Sequence, residues 1–212
     1  MNETLSPQTV EDILSILADK QALLVHCAGF GKGIGSYETN ALKYLERLQR
    51  AIESDFELSC STVVPGDMFS HNAMNYTGKV GLILCPNAMD SITFASPSDA
   101  GSQIDPNNPG RRSSGLPPAT PQLIQAAIDE RLYDAYNELG VLNYRVLGVF
   151  IDPPVQYSLG EGIVSIEYSE VASAFPDQPL FCIYRGELFG VVQDNAGYSI
   201  GAKADVQALY AC

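Results

Sequence analysis

Tryptophan is absent from this chain of 212 residues, and histidine occurs only twice, at His26 and His71. Neither histidine shares a ligand spacing with a pair of cysteines, so the zinc patterns are excluded and no metal is expected. Cations are scarce too: Lys and Arg number 12 against 25 Asp and Glu, for a net charge of −13. Phosphate backbones are held by clustered Lys and Arg. Here the one adjacent pair, Arg111-Arg112, sits in a Pro/Gly/Ser stretch, so nucleic acid is not an expected partner. No apolar run approaches the roughly 18 residues of a membrane span, so no membrane partner is expected. The five cysteines (Cys27, Cys60, Cys85, Cys182 and Cys212) are odd in number and form no Cys-x-x-Cys pair, a usage that fits a reducing compartment. The stretch Met1 to Pro7 lacks the basic region and apolar run of a signal peptide, so the expected location is cytoplasmic.

What is present is a foldable chain. Hydrophobic residues make up 46%, enough at this length for a core. The apolar stripe Val10, Ile13, Leu14 and Leu17, opened by Ser6-Pro7, predicts a helix to about Asp19. A strand is expected at 22–25, a helix from about Tyr37 to Glu53, and strands at 56–64 and 80–84. From Ala95 to Pro121 large apolar residues almost vanish, which reads as a mobile polar loop of about 95–121 near the site. A helix is expected over 121–134, strands over 139–142 and 144–151, a strand over 162–168 and a short helix over 169–174. The runs 180–184 and 188–192 flank Arg185-Gly186-Glu187 and read as a hairpin. Strands and helices do not alternate regularly, as a parallel sheet would require. The expected fold is a single α+β domain over 1–212, with mixed or antiparallel sheets forming a cleft and helices outside.

Three stretches carry candidate chemistry. Tyr136-Asn137-Glu138 stands between a helical stretch and two strand-like runs, and a carboxylate at the first step of a strand is aimed to one side of a sheet. Leu23-Leu24-Val25-His26-Cys27-Ala28-Gly29 runs from a strand into a turn, followed by Phe30-Gly31-Lys32-Gly33-Ile34. Alternating glycines between a strand and a helix can make an anion-binding nest. Ser59-Cys60-Ser61-Thr62 places hydroxyls on a strand.

Together these stretches resemble the poly(ADP-ribose) polymerases and their ADP-ribosyltransferase relatives, in scattered pieces over about 20–152. Tyr136–Glu138 with its two strands resembles the strand of the catalytic glutamate, and Gly81–Leu84 the strand after the stacking helix. The resemblance implies that Glu138 is catalytic and that NAD is the cofactor-substrate. It also implies that His26 bonds a ribose hydroxyl and that backbone groups of Cys27 and the Gly29 turn hold the nicotinamide amide. Tyr37 is the nearest candidate to stack on nicotinamide. Ser61 and Thr62 resemble part of the Ser-Thr-Ser that steadies the glutamate in toxin-type transferases. The chain departs from the pattern where Cys27 replaces a glycine, where Tyr37 comes late, and where the spacer before the glycine run is missing. Arginine-modifying members carry an acid where this chain has Tyr136, so the acceptor stays open.

The implied function is transfer of ADP-ribose from NAD to an acceptor, expected to be a protein, with release of nicotinamide. A bacterial effector in a host cytosol fits the size and acidity, as does a housekeeping protein. Two alternatives stay open. One is a non-catalytic protein-binding domain of the same fold. The other is a cysteine-dependent hydrolase or transferase, in which Cys27 or Cys60 acts with a histidine brought near in space.

Overall fold

The computed structural model describes residues 10–27, 41–53, 56–67, 80–97, 116, 119–129, 137–151, 156–159 and 162–211. Helix α1 spans Val10–Asp19 and buries Ile13 and Leu17, one turn apart on the expected stripe. Helix α2, Ala41–Ile52, turns Tyr44, Leu45, Leu48 and Ala51 inward and leaves Lys43, Glu46, Arg47 and Arg50 exposed, an amphipathic division at helical spacing. Helix α3, Pro121–Asp129, starts where Thr120 Oγ1 accepts from the Leu123 amide at 3.2 Å, with Pro121 at the first helical position. Two shorter helices follow, α4 at Tyr168–Ala174 and α5 at Val206–Tyr210.

The strands are β1 Leu23–His26, β2 Leu58–Val63, β3 Val80–Pro86, β4 Ile92–Ser96, β5 Glu138–Val141, β6 Tyr144–Ile151, β7 Gln156–Leu159, β8 Gly162–Ser165, β9 Leu180–Tyr184, β10 Glu187–Asp194 and β11 Gly197–Lys203. Nine of them form one sheet in the order β11-β10-β9-β6-β3-β1-β2-β5-β4, while β7 and β8 pair separately. Every neighbouring pair in the large sheet is antiparallel except β6 and β9. A parallel pair needs a crossover, and here the connection carries β7, β8 and α4. The fold is thus α+β with a mostly antiparallel sheet, as the absence of strand–helix alternation implied.

The connections show that this sheet is not flat. Only residues 142–143 separate β5 from β6, yet β2, β1 and β3 lie between them in the sheet. Three peptide steps reach about 11 Å at most, whereas four inter-strand spacings come to about 19 Å. The half made of β2, β5 and β4 therefore bends toward the half that begins with β3 and β6, with β1 between them. Residues 87–91, which lead from β3 to β4, make the same crossing. The two crossings are tied together: Asn87 N and Ser91 Oγ both donate to the Asn143 carbonyl, at 3.1 and 2.8 Å, and Leu142 N donates to Ser91 O at 2.8 Å.

The core runs through the centre of this arrangement, where Leu23, Leu24, Leu82, Ile83, Leu84, Val149 and Phe150 have no more than 0% exposure. Two tyrosines fasten helices to strand ends. Tyr44 in α2 donates to the Val80 carbonyl. Tyr210 in α5 accepts from Leu24 N at 2.9 Å and donates to Ala22 O at 3.2 Å.

The structure corrects several expected boundaries. Ala95 and Ser96 are not loop: they end β4, whose alternating burial follows a strand period. The expected strand at 162–168 stops at Ser165, and Tyr168 already belongs to α4. The expected helix over 121–134 is seen to Asp129, with 130–136 outside the described residues. Strands β4, β7 and β11 and helix α5 have no counterpart among the expected elements. Among the described residues, no helix is long and apolar enough to cross a membrane.

Candidate functional site

Glu138 is the first residue of β5 and is 1% exposed. On one side β5 pairs with β2 through Ser59↔Gly140 and Cys60↔Leu139, which brings Ser61 opposite Glu138 at the next step. On the other side Ser96 of β4 is its register partner. Side chains alternate along a strand, so Ser59, Ser61 and Glu138 share one face. Across it, Ser59 Oγ donates to Glu138 Oε1 at 2.6 Å, within the short range of a hydroxyl donating to a carboxylate.

Gly140 lets this part of the sheet close. A Cβ there would collide with the ring of Phe94 and with the Thr93 hydroxyl. Thr93 Oγ1 in turn donates to Glu57 Oε2 at 2.6 Å. The absence of a side chain at 140 thus allows Phe94 to lie against β5.

The residue before Glu138 is held as tightly. Asn137 is 1% exposed. Its Oδ1 accepts from Thr62 N at 2.9 Å, and its Nδ2 donates to Thr62 Oγ1 at 2.5 Å and to the Ala127 carbonyl of α3 at 2.9 Å. Its own carbonyl accepts from Ser61 Oγ at 2.8 Å. Ser61 and Thr62, the pair named from the sequence, thus direct their side chains to Asn137. The hydroxyl that reaches the glutamate belongs to Ser59, which the sequence reading did not single out. Strand alternation holds the signal, since Ser59 and Ser61 share a face with Glu138 whereas Thr62 does not.

His26 ends β1. The β1–β2 ladder pairs Val25 with Ser61 as its last step, and the Ser59 carbonyl meets the His26 ring instead, with Nδ1 at 2.7 Å. A carbonyl oxygen only accepts, so Nδ1 carries the proton and a neutral ring has Nε2 as its acceptor nitrogen. Ser59 is therefore the link between the two residues singled out most strongly by the sequence: its main chain holds His26 and its side chain holds Glu138.

Cys27 follows β1 and is partly exposed, whereas Cys60 on β2 is buried. A Cβ on Gly81 would come within 2.8 Å of Cys27 Sγ, so the thiol rests against the β3 backbone at a position only glycine leaves open. Burial pushes the Cys60 thiol well above its ordinary value, and the neighbouring Cys27 and Glu138 push it in the same direction. A thiol held protonated in this way is a poor nucleophile.

Of the site residues expected from the sequence, the structure brings His26, Cys27, Ser61, Thr62 and Glu138 onto the three adjacent strand segments of β1, β2 and β5. Gly29, Tyr37, the glycine run to Gly35, and His71 lie outside the described residues. Among the described residues, no three His, Cys, Asp or Glu side chains gather as a metal site would require. A pocket of about 380 Å³ opens between α1 and α5, lined by Val10, Leu14, Ala18, Gln207 and Tyr210 among others. None of the site residues lines it. Comparison of the chain with protein-family models, curated proteins and solved structures gave no match.

Proposed function

We propose that this chain is an ADP-ribosyltransferase-like domain that transfers ADP-ribose from NAD to an acceptor, a protein in the simplest case, and releases nicotinamide. The observation that carries the reading is the line His26–Ser59–Glu138, with bonds of 2.7 and 2.6 Å across three adjacent strands. A histidine at one strand end and a serine-held glutamate at the start of another match the roles implied by the sequence resemblance.

In this reaction the bond between the anomeric carbon and the nicotinamide nitrogen breaks, and its electron pair leaves with nicotinamide. Positive charge builds on the ribose, as in the oxocarbenium-like states of glycoside cleavage. Glu138 stabilises that charge as a carboxylate and accepts from the 2′-hydroxyl, an electrostatic role that depends on a fixed side chain. The acceptor's lone pair then forms the new bond to the anomeric carbon, and its proton passes to solvent or a base. Ser59 holds Glu138 in one rotamer, so less reorganisation is needed as charge develops. His26, its ring fixed by the bond from Nδ1 to the Ser59 carbonyl, is the residue that meets a ribose hydroxyl.

A second reading is favoured by one observation. Glu138 is 1% exposed, and a carboxylate so covered suits a domain of this fold that binds a protein partner without turning over NAD. Nicotinamide release separates the two. Release by the wild-type chain and not by Glu138→Gln supports catalysis. NAD binding or partner capture without release supports the binding domain.

A further inference from the structure

We propose that Asn137 is the positioning residue of Glu138 and that it makes helix α3 part of the site, so that the seat of α3 controls the aim of the carboxylate. This inference rests on the reading of Glu138 as the reactive carboxylate and extends it to how the site is controlled.

The bonds of Asn137 join three elements. The carboxamide oxygen takes Thr62 N, and the amide nitrogen gives one bond to Thr62 Oγ1 and one to the Ala127 carbonyl. Ala127 lies in the last described turn of α3. Its carbonyl accepts from a side chain that also fixes β2. The main chain of Asn137 is fixed as well, since Ser61 Oγ donates to its carbonyl at 2.8 Å. With main chain and side chain both held, the peptide leading into Glu138 has one orientation.

The register supports this. The β2–β5 ladder reaches Cys60↔Leu139, and two residues further along β2 it is the Asn137 carboxamide that takes the Thr62 amide. The start of β5 is thus set by a side chain with a second bond to a helix. A one-residue slip would turn Glu138 to the other face of the sheet. A smaller tilt would move its carboxyl away from Ser59 Oγ.

A purely structural asparagine would affect stability only, and the two roles are distinguishable. Asn137→Asp keeps an acceptor for Thr62 N and another for the Thr62 hydroxyl, which can turn to donate. It removes the donor to Ala127 and sets a carboxylate oxygen against that carbonyl. The variant therefore uncouples α3 and spares most of the link to β2. Thr62→Val removes the bond from Asn137 Nδ2 to Thr62 Oγ1 and keeps the link to α3.

The experiment uses the full chain with carbon-13-labelled glutamate. Each variant is tested for folding by circular dichroism, for NAD binding by calorimetry and for nicotinamide release. The Glu138 carboxyl resonance is assigned from its loss in Glu138→Gln. The expected result for Asn137→Asp is a moved Glu138 resonance, NAD affinity within about threefold of wild type, and release slowed on the order of 100-fold, the scale of a misplacement near 1 Å. Thr62→Val is expected to move the resonance less. The proposal is overturned if Asn137→Asp folds and leaves the Glu138 resonance in place, or if release falls only in proportion to the unfolded fraction. Should Asn137→Asp not fold, Asn137→Ser is measured in the same way, and an unmoved resonance there also overturns it. If the wild-type chain releases no nicotinamide, the catalytic reading fails by itself, and the resonance still decides whether Asn137 aims Glu138.

Discussion

Ser59 and Glu138 are joined across the β2–β5 pair by a hydroxyl-to-carboxyl hydrogen bond of 2.6 Å. The same serine accepts from His26 Nδ1 through its carbonyl at 2.7 Å. Two residues far apart in sequence are thereby set at a fixed offset by one residue on the strand between them. The proposed reaction at a single bond of a dinucleotide requires such a fixed offset.

Ser59→Ala isolates the side-chain half of this link. It leaves the carbonyl for His26 and removes the donor to Glu138, so a buried acceptor loses a partner. Stability is expected to fall by about 1–3 kcal/mol, read as a shift in the urea midpoint. Nicotinamide release is expected to slow by about tenfold, the equivalent of some 1.4 kcal/mol in the barrier. Ser61→Ala, whose lost bond goes to the Asn137 carbonyl, should slow release less. Equal rates for Ser59→Ala and wild type would remove Ser59 from the site.

His26→Ala removes the ring and leaves the Ser59 carbonyl to solvent or a neighbour. NAD affinity is expected to weaken by about tenfold, as for the loss of one good hydrogen bond, with the Glu138 resonance changed little. Titration calorimetry measures the first and carbon-13 spectroscopy the second. An unchanged affinity would show that His26 serves only the β1–β2 junction.

Gly140→Ala tests the packing of β4 against β5. The new methyl group meets the Phe94 ring and the Thr93 hydroxyl, so Phe94 has to move or β4 has to separate from β5. Overpacking of this kind costs about 1–3 kcal/mol. The urea midpoint should fall accordingly, and a midpoint equal to wild type would show that Phe94 has room to yield.

These residues also show where the sequence is legible. The stripe of α1 was readable because Ile13 and Leu17 recur at the helical period and both face the core. The hairpin of β9 and β10 was readable because its apolar runs flank the two-residue turn Arg185-Gly186, where φ is 51° and 79°, values that suit a hairpin turn of opposite hand to the common ones. Glu138 was placed at the start of a strand because Leu139 to Val141 form a short apolar run after a polar break. Other elements are set by partners and not by their own residues. Strand β11 contains Gly197, Ser199, Gly201 and Ala202, weak strand formers, and is a strand because β10 lies beside it. The curl of the sheet likewise follows from the short link between β5 and β6, which no local pattern announces.

At the site, adjacency in sequence misled where alternation would have informed. Ser61-Thr62 are neighbours in the chain, but their side chains lie on opposite faces of β2. The pair that shares a face with Glu138 is Ser59 and Ser61. Asn137 was visible only as part of a motif. Its bonds to Thr62 depend on the approach of β2 and its bond to Ala127 on the arrival of α3, which a single sequence cannot show.

The buried thiol and phenol give a pH dependence with a definite sign. Burial raises Cys60 above its ordinary value of 9.0 and Tyr210 above its ordinary 10.0. Both groups keep their protons in the folded chain at a pH where the unfolded chain releases them. Their contribution to stability is therefore complete below about pH 9 and is lost as the pH rises through the folded values. Urea midpoints between about pH 7 and about pH 10.5 should decline beyond pH 9, with a shallower decline in Cys60→Ala. A midpoint that holds steady or rises over that interval would contradict the burial of these groups.

The most direct test of the account is calorimetric titration of the wild-type chain and of Glu138→Gln with NAD, with nicotinamide measured in the same samples. The expected result is comparable NAD binding by both, with nicotinamide released by the wild type and release at least 100-fold slower in the variant, the scale of losing one transition-state electrostatic contact. No binding of NAD at millimolar concentration, or equal release by both proteins, would contradict the assignment of Glu138 and with it the proposed reaction.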